Sequence, residues 1–383
     1  MTAKYKVADV LEMEKAHLHL LCAKSWQSRT LHALRKCRTK ALGGHIDRCN
    51  KCHKLHLFYH SCRNRHCPTC QGHKVTQWIQ SREQELLPVP YFHLVFTLPG
   101  QLNRVAIEYP KELYTILFKT AWQTLSEFGN NPDNLGAKMG MIAILHTWGQ
   151  NLWLHPHLHC IVPGGGLTKA GHWKTSKNKG KFLFNVKSMS RVFRAIFVKE
   201  LRKKIPGLPQ SLYDRLFKKN WVVFAKRPFN NNKSVIEYLG RYTHKIAISN
   251  SRIKHIDYHK RTVTFSLKDY RKNGEKTTQT LDTKEFIRRF ALHILPKGFT
   301  RIRHYGILSS AWKKEKLPAL QQKLTVKNPH KKKEEPKQVK DIKTMLHRCP
   351  FCKVGALETV LMFDKRGPPA NYHQILNKLQ ISL

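Results

Sequence analysis

The sequence predicts an α+β fold with a mainly antiparallel sheet, preceded by a small domain of zinc-ribbon type. Between residues 91 and 250, apolar runs of strand length alternate with segments of helical periodicity. Two Cys-x-x-Cys pairs stand before them. We expect an N-terminal helical segment and zinc-binding domain at 1–75, a main domain at 76–250, a β-extension and helix at 251–312, a basic linker at 313–345 and a tail at 346–383.

The cysteine pairs predict a structural zinc site. Fourteen residues separate Cys49/Cys52 from Cys67/Cys70, which is close to the spacing of zinc ribbons in which four thiolates surround one Zn²⁺. Four buried or redox-active cysteines would be the alternative, but this would leave the paired spacing unexplained. Three neighbours could replace one ligand or serve a second ion: Cys62, His66 and His73.

The charge of the chain indicates a polyanionic partner. Seventy Lys and Arg against 24 Asp and Glu give a formal net charge of +46, which favours nucleic acid. Within the cysteine-rich domain, Arg63 and Arg65 are expected to contact phosphates of duplex or hairpin DNA. We expect no membrane span, because no apolar run approaches twenty residues, and a cytoplasmic location, because the first thirty residues lack the apolar core of a secretory signal.

The elements of the main domain follow in order from hydrophobic periodicity. After a helical link at 75–86, we expect a strand at 91–99, a helix at 111–128, strands at 141–148 and 157–162, a helix at 190–203, a short strand at 221–225 and a helix at 234–244. The sheet would then carry His157 and His159, and the last helix would carry Tyr238 and Tyr242.

These four side chains predict DNA-nicking chemistry. Residues two apart on a strand point to the same face, so both imidazoles could bind one Mg²⁺ or Mn²⁺ ion that polarises a scissile phosphate. Residues four apart on a helix lie on one face, so both phenols could serve as nucleophiles, although ordinary helix packing also produces such pairs. A third metal ligand is expected from one of five residues: Glu237, Gln150, His155, His146 or His93.

The motifs together resemble a known family. The cysteine-rich N-terminus is followed by Phe92-His-Leu-Val-Phe-Thr-Leu-Pro99, by His155-Pro-His-Leu-His-Cys-Ile-Val-Pro-Gly-Gly-Gly166, by Tyr238-Leu-Gly-Arg-Tyr242 and by Arg301-Ile-Arg-His-Tyr-Gly306. In order and spacing, residues from about 40 to 310 resemble the two-tyrosine rolling-circle insertion-sequence transposases of bacteria, which belong to the HUH endonucleases. The resemblance implies an HUH-type antiparallel sheet and makes 76–250 the nuclease domain.

The same resemblance implies a mechanism. Tyr238 and Tyr242 would alternate in forming 5′-phosphotyrosine links, which leave a free 3′-hydroxyl and allow strand joining without ATP. The partner would be DNA at element ends and target sites, single-stranded or hairpin, and Arg241, His244 and Lys245 would bind its flanking phosphates. Because no phosphate-binding Gly-x-x-x-x-Gly-Lys-Ser/Thr loop is present, unwinding would need a host helicase. Association with the bacterial nucleoid is expected, and the oligomeric state stays open.

The C-terminal third carries weaker signals. Residues 251–282 are expected to form a small antiparallel extension, 283–295 an amphipathic helix and 313–340 a flexible basic linker. Cys349 and Cys352 form half a zinc knuckle. A complete site there would require His347 and a ligand from elsewhere, a partner chain or the N-terminal domain, and an unliganded turn is the favoured interpretation.

Two other classes of function are compatible with parts of this pattern. A plasmid replication initiator or a relaxase uses the same histidine and tyrosine chemistry, but the cysteine-rich domain and the residues within the motifs favour a transposase. A non-catalytic zinc DNA-binding protein, such as a repressor, would need neither the histidine pair nor the tyrosine pair. A transposase with three acidic metal ligands is disfavoured, because the acidic residues are few and form no obvious constellation.

Overall fold

The computed structural model describes residues 3–70, 84–177, 182–226, 246–269, 274–326 and 348–372, with 229, 234, 235, 240 and 374. Its helices are α1 (Val7–Met13), α2 (Ser25–Arg35), α3 (Asn103–Glu108), α4 (Pro110–Asn130), α5 (Val186–Lys204), α6 (Gln210–Lys218), α7 (Thr283–Ala291), α8 (Ser310–Lys313) and α9 (Lys316–Val326). Its strands are β1 (Gly44–Cys49), β2 (Leu55–Tyr59), β3 (Tyr91–Thr97), β4 (Gly140–Trp148), β5 (Leu154–Pro163), β6 (Gly165–Leu167), β7 (Trp173–Thr175), β8 (Val223–Lys226), β9 (Ile253–Asp257), β10 (Thr262–Asp269), β11 (Glu275–Asp282), β12 (Ile302–Gly306) and β13 (Leu357–Phe363).

A five-stranded antiparallel sheet forms the centre of the main domain, which confirms the predicted α+β class. Its strand order is β12-β4-β5-β3-β8. Alternate residues of the strands, such as Phe96, Leu145 and Leu158, point to one face and join the largest apolar cluster. Helices α4 and α5 cover this face through residues that include Leu117 and Phe193. The sheet is therefore closed to solvent on this side.

The opposite face of the sheet is different in chemistry. At one end, Ile142, Ile144 and Ile161 pack with residues of α9 and with Val235 in a second apolar cluster. Further along the same strands, the alternation places imidazoles instead of aliphatic side chains on this face. Because successive side chains of β3, β4 and β5 alternate between the two faces, the sheet has an apolar core below it and a row of histidines above it.

The cysteine-rich domain contains a three-stranded sheet with the order β13-β1-β2. Strand β13 from the C-terminal tail pairs antiparallel with β1, with Gly44 opposite Phe363 and Cys49 opposite Leu357. The predicted tail at 346–383 thus contributes a strand to the N-terminal domain. The domain boundaries drawn from sequence remain predictions, but the first and last of those segments are joined in space.

The β-extension at 251–312 matches expectation in part. Strands β9, β10 and β11 form an antiparallel sheet, and α7 begins at Thr283, where the Asp282 side chain accepts a hydrogen bond from the Lys284 backbone at 2.8 Å. The helix ends at Ala291 and does not reach the predicted residue 295. Apolar side chains of α1, α2 and α7 pack together with this sheet in a third cluster.

The start of the predicted basic linker is helical, which corrects that expectation. Helix α9 occupies 316–326 because Leu317, Leu320 and Leu324 recur at helical spacing and are buried against the upper face of the sheet. The remainder of the linker, most of the predicted link at 75–86 and most of the predicted tyrosine helix at 234–244 lie outside the described residues. Among the helices that are described, none is long and apolar enough to cross a membrane.

Candidate metal centres

Three histidines of the central sheet converge on its upper face. His157 and His159 lie on β5, and His146 lies directly opposite His157 on the neighbouring strand β4. The Nε2 atoms of His157 and His159 are 3.1 Å apart, and one nitrogen from each of the three rings lies within 4.8 Å of the others. His146 is buried, whereas His157 is partly accessible. This arrangement offers three nitrogen donors to one ion.

Hydrogen bonds orient two of these rings. The Nδ1–H of His157 donates to the carbonyl oxygen of His155 at 2.6 Å, so the lone pair of the neutral ring is on Nε2. Nδ1 of His159 lies 2.9 Å from Nε2 of His93 on β3. The tautomer in which His159 donates to His93 directs the His159 Nε2 lone pair towards His157 Nε2. Such outer hydrogen bonds are typical of metal-binding histidines.

His93 supports the site without joining it. Burial lowers the pKa of His93 to about 4, and the positive charge of Lys226 acts in the same direction. The ring is therefore neutral at pH 7, and its Nε2 is able to accept a hydrogen bond from the Nδ1–H of His159. It stacks on His159 with ring centroids 5.1 Å apart. His146 is held in a comparable way by Trp148, whose ring stacks on it at 4.7 Å.

The structure distinguishes among the five residues predicted as a possible third metal ligand. His146 joins His157 and His159, while His93 lies behind His159. The His155 side chain is exposed and lies outside the cluster. Gln150 accepts a hydrogen bond from Arg252 through its backbone carbonyl. Glu237 lies outside the described residues, as do five other predicted site residues: Tyr238, Tyr242, Arg241, His244 and Lys245.

The cysteines form two clusters of four, which corrects the single site predicted from sequence. Cys67 and Cys70 lie with Cys37 and Cys62, and neighbouring Sγ atoms in this cluster are 3.5 to 3.7 Å apart. Cys49 and Cys52 lie in the other cluster, with Cys349 and Cys352 of the C-terminal tail. The two pairs predicted to share one ion therefore belong to different sites.

The β1–β2 hairpin explains this separation. Cys49 and Cys52 lie at its tip, whereas its base is closed by the hydrogen bond from the His60 backbone to the Gly43 carbonyl, next to Cys62. Strands of five or six residues span roughly 17–20 Å, which is too far for shared coordination. Cys37 had no Cys-x-x-Cys partner to mark it in the sequence, so its role is a finding of the structure.

Both clusters suit zinc. Tetrahedral coordination with Zn–S bonds of about 2.3 Å places sulfur atoms about 3.8 Å apart, close to the separations seen here and far from those of a disulfide. Backbone N–H groups of Gly355 and Val354 lower the pKa of the Cys352 thiol to about 6, which favours the thiolate. None of the ten cysteines of the chain forms a disulfide.

The two arginines predicted to bind DNA have different surroundings. Arg63 is exposed. The guanidinium of Arg65 donates to the carbonyl oxygens of Phe299 at 2.6 Å and Pro296 at 2.9 Å. Arg65 thus connects the cysteine-rich domain to the segment after α7, and its phosphate contact remains a prediction.

Comparison with known proteins assigns the chain to a family. A family model described as "Putative transposase" matches residues 140–316, and one described as "Transposase zinc-binding domain" matches residues 10–98. A protein named "Putative transposase y4qJ", from Sinorhizobium fredii, is 41% identical in an alignment 366 residues long that covers 90% of this chain and 91% of that protein. The chain belongs to the IS91/IS801-type transposases. "Transposase for insertion sequence element IS801", from Pseudomonas savastanoi pv. phaseolicola, is 27% identical in an alignment 328 residues long that covers 78% of this chain and 74% of that protein.

Membership confirms several predictions. The transposase is a DNA-processing protein with an N-terminal zinc-binding domain, and its partner is DNA, in agreement with its net charge of +46. The matched segment 140–316 includes the three clustered histidines and the tyrosine pair. The zinc-binding match includes Cys37, Cys49 and Cys52 but ends before the C-terminal cysteines.

Proposed function

We propose that the transposase cuts and rejoins single-stranded DNA through 5′-phosphotyrosine intermediates, with Tyr238 and Tyr242 as nucleophiles and with a divalent ion bound by His146, His157 and His159. The observation that carries this proposal is the convergence of the three imidazoles on the upper face of the sheet, where His157 is partly exposed. A repressor or another purely DNA-binding protein has no need for such a set of donors.

The donor set fits Mg²⁺ or Mn²⁺ in number and position. Three protein ligands leave further coordination positions open for phosphate and water. An ion held there would stabilise the charge that develops on the non-bridging oxygens of the scissile phosphate. His157, the most accessible of the three rings, would lie nearest the DNA, whereas buried His146 would form the floor of the site.

The described residues on either side of the tyrosine segment lie close to the histidine strands. Val235 is buried with Ile144 and Ile161 on the upper face of the sheet. On the other side, Ala247 lines a small cavity together with Trp148, the residue that stacks on His146. Val235 and Ala247, which flank the tyrosine segment in the sequence, therefore both lie next to residues of the histidine strands. This supports the assignment of the phenols of Tyr238 and Tyr242 as nucleophiles.

The reaction is balanced without an additional reactant. The phenolic oxygen attacks phosphorus, an O–P bond to tyrosine forms, and the bond from phosphorus to the 3′ oxygen breaks. The phenol loses its proton, and the departing 3′ oxygen gains one and becomes a hydroxyl. Because one phosphodiester replaces another, the reverse attack by a 3′-hydroxyl joins strands. The ordinary phenol pKa of about 10 requires nearby positive charge, which the divalent ion and the cationic segment Arg241-Tyr-Thr-His-Lys245 would provide.

An exposed aromatic side chain four residues before His157 supports a single-stranded substrate. Trp153 directly precedes β5 and is 44% exposed. The guanidinium carbon of Arg289 lies 4.1 Å from the centre of its ring, and that of Arg288 lies 5.5 Å away. Glu285 holds both guanidinium groups at 2.6 Å. An exposed indole beside cations is suited to stacking on an unpaired base.

The proposal is tested with purified protein, Mn²⁺ and labelled single-stranded oligonucleotides that span candidate element ends. We expect a covalent adduct on a denaturing gel with the wild-type protein and none after chelation. Adduct formation should fall below detection in Tyr238→Phe/Tyr242→Phe and in His157→Ala/His159→Ala, while both variants still bind the oligonucleotide. His172→Ala, an exposed histidine on the β6–β7 hairpin, serves as the matched control. An adduct of unchanged yield in either double variant would overturn the proposal.

A further inference from the structure

The second cysteine cluster joins the two ends of the chain. The Sγ atoms of Cys49 and Cys352 are 3.6 Å apart, and those of Cys52 and Cys349 are 3.7 Å apart. Each contact therefore crosses between a residue near position 50 and a residue near position 350. The zinc-binding family match ends at residue 98, so it includes only half of this ligand set.

The two halves have the same backbone conformation. In the first, the His53 backbone N–H donates to the Cys49 carbonyl at 3.0 Å, and in the second, the Lys353 N–H donates to the Cys349 carbonyl at 3.0 Å. Both residues that close these turns are left-handed, with φ of 57° at His53 and 60° at Lys353. Non-glycine residues rarely adopt this conformation. Its repetition after both Cys-x-x-Cys pairs indicates two matching knuckles.

Each half also has a backbone hydrogen bond to sulfur, to the first cysteine in one half and to the second cysteine in the other. The Cys52 backbone N–H points to the Cys49 Sγ at 3.5 Å, and the Gly355 N–H points to the Cys352 Sγ at 3.3 Å. Such bonds stabilise thiolates. Nε2 of His56 lies 3.3 Å from the Cys349 Sγ and provides a further polar partner.

Contacts around the cluster bind the tail to the domain. The Asn50 backbone donates to the Ala356 carbonyl at 3.0 Å, and the Ala356 N–H donates to the Asn50 side chain at 2.9 Å. The Lys54 ammonium lies over the Phe351 ring. Gly355 is required by packing, because a Cβ atom at this position would lie 2.3 Å from the Cys49 Sγ. Together with the β1–β13 pairing, these contacts place the C-terminal knuckle in a single register.

We propose that Cys49, Cys52, Cys349 and Cys352 bind a second zinc ion, which fastens the C-terminal segment to the N-terminal zinc-binding domain. This site then consists of two knuckles next to a three-stranded sheet, and one knuckle and one strand come from the C-terminal segment. A chain that lacks residues after 345 would retain only two of the four ligands. The proposal does not depend on the strand-transfer chemistry, because it concerns a site built from different residues.

The number of tetrahedral thiolate sites is the direct test. Cobalt(II) in a thiolate site gives sulfur-to-metal charge-transfer absorption, whereas an imidazole site does not contribute to it. Full-length protein loaded with Co²⁺ should show the absorbance of two tetrathiolate sites per chain, and Zn²⁺ should displace both. Cys349→Ser/Cys352→Ser should lose about half of the absorbance. Cys22→Ser, which changes a cysteine outside both clusters, should lose none.

Amide hydrogen exchange tests whether the metal ion also holds β13 against the N-terminal domain. In Cys349→Ser/Cys352→Ser, the amides of β13 should exchange at least ten times faster than in the wild type. In Cys37→Ser/Cys62→Ser, the other cluster loses its ion, but β13 should keep its protection. If this control does not fold, Cys67→Ala is used in its place, and Gly355→Ala tests the second site without removal of a ligand. One thiolate site in the wild type, or unchanged absorbance and β13 exchange in Cys349→Ser/Cys352→Ser, would overturn the proposal.

Discussion

Replacement of His93 by phenylalanine tests the organisation of the proposed catalytic metal site. The side chain is 5% exposed and does not belong to the three clustered rings, but its Nε2 lies 2.9 Å from Nδ1 of His159. Phenylalanine preserves a flat ring of similar size, which would maintain the stacking on His159. It removes only the hydrogen-bond partner that orients His159 for binding a cation.

The expected effect follows from the cost of an unsatisfied polar group. A buried N–H without a partner costs about 1–3 kcal/mol, and loss of an outer hydrogen bond at a metal site typically weakens metal binding about 10- to 100-fold. The two figures agree, since a tenfold change corresponds to about 1.4 kcal/mol. We therefore expect the Kd for Mn²⁺ to rise by about 10- to 100-fold in His93→Phe.

Titration calorimetry with Mn²⁺ measures this Kd directly, and adduct formation as a function of Mn²⁺ concentration provides a second assay. Adduct yield should fall at low Mn²⁺ and recover at saturating Mn²⁺, because the ligands themselves are intact. His172→Phe provides the same chemical change at an exposed position. Unchanged Mn²⁺ affinity in His93→Phe, or a loss of activity that excess Mn²⁺ does not restore, would refute the reasoning.

Two further predictions concern DNA binding and stability. Trp153→Ala should weaken binding of a single-stranded oligonucleotide by about 1–3 kcal/mol, whereas Trp153→Phe should retain most of the affinity. Neither variant should change the affinity for duplex DNA. Fluorescence anisotropy measures these affinities, and an equal loss for duplex DNA in Trp153→Ala would contradict base stacking. Burial lowers the pKa of His293 to about 4, from an ordinary value of 6.5. Between about pH 6.5 and pH 4, the unfolded chain therefore binds more protons than the folded chain. The contribution of His293 to the free energy of unfolding is fully present above about pH 6.5, and about 3 kcal/mol of it is lost as the pH falls through about 4. His293→Gln can keep the bonds to Thr147 and the Leu152 carbonyl, so urea unfolding at pH 7 and pH 4.5 should show a smaller acid loss than in the wild type, and an equal loss would count against His293.

The elements of the main domain were predictable because their signal is local. Alternation in β5 placed His157 and His159 on one face, and the structure agrees. The same reasoning could not select His146 from five candidates, because the strand register that brings it opposite His157 depends on long-range pairing. Helix α9 was missed because charged residues around Leu317 and Leu320 obscured its apolar stripe.

The cysteines show the same limit more strongly. The spacing of Cys49/Cys52 and Cys67/Cys70 predicted metal ligands, and all four lie in clusters that could hold an ion, but spacing does not specify which pairs meet. Cys349 lies 297 residues from Cys52, and nothing local to either pair indicates that they share a cluster. The N-terminal domain was one of the partners considered for the tail, and only the pairing of β1 with β13 singles it out.

The most direct test of the proposed tyrosine chemistry is to identify the covalent bond between protein and DNA. A single-stranded oligonucleotide with separate labels on the 5′ and 3′ sides of the cleaved position is incubated with the transposase and Mn²⁺, and the adduct is digested and mapped by mass spectrometry. We expect the 3′-side fragment to stay attached, through its 5′ phosphate, to a peptide modified at Tyr238 or Tyr242. Attachment of the 5′-side fragment, modification at another residue, or cleavage without any covalent adduct would contradict this expectation.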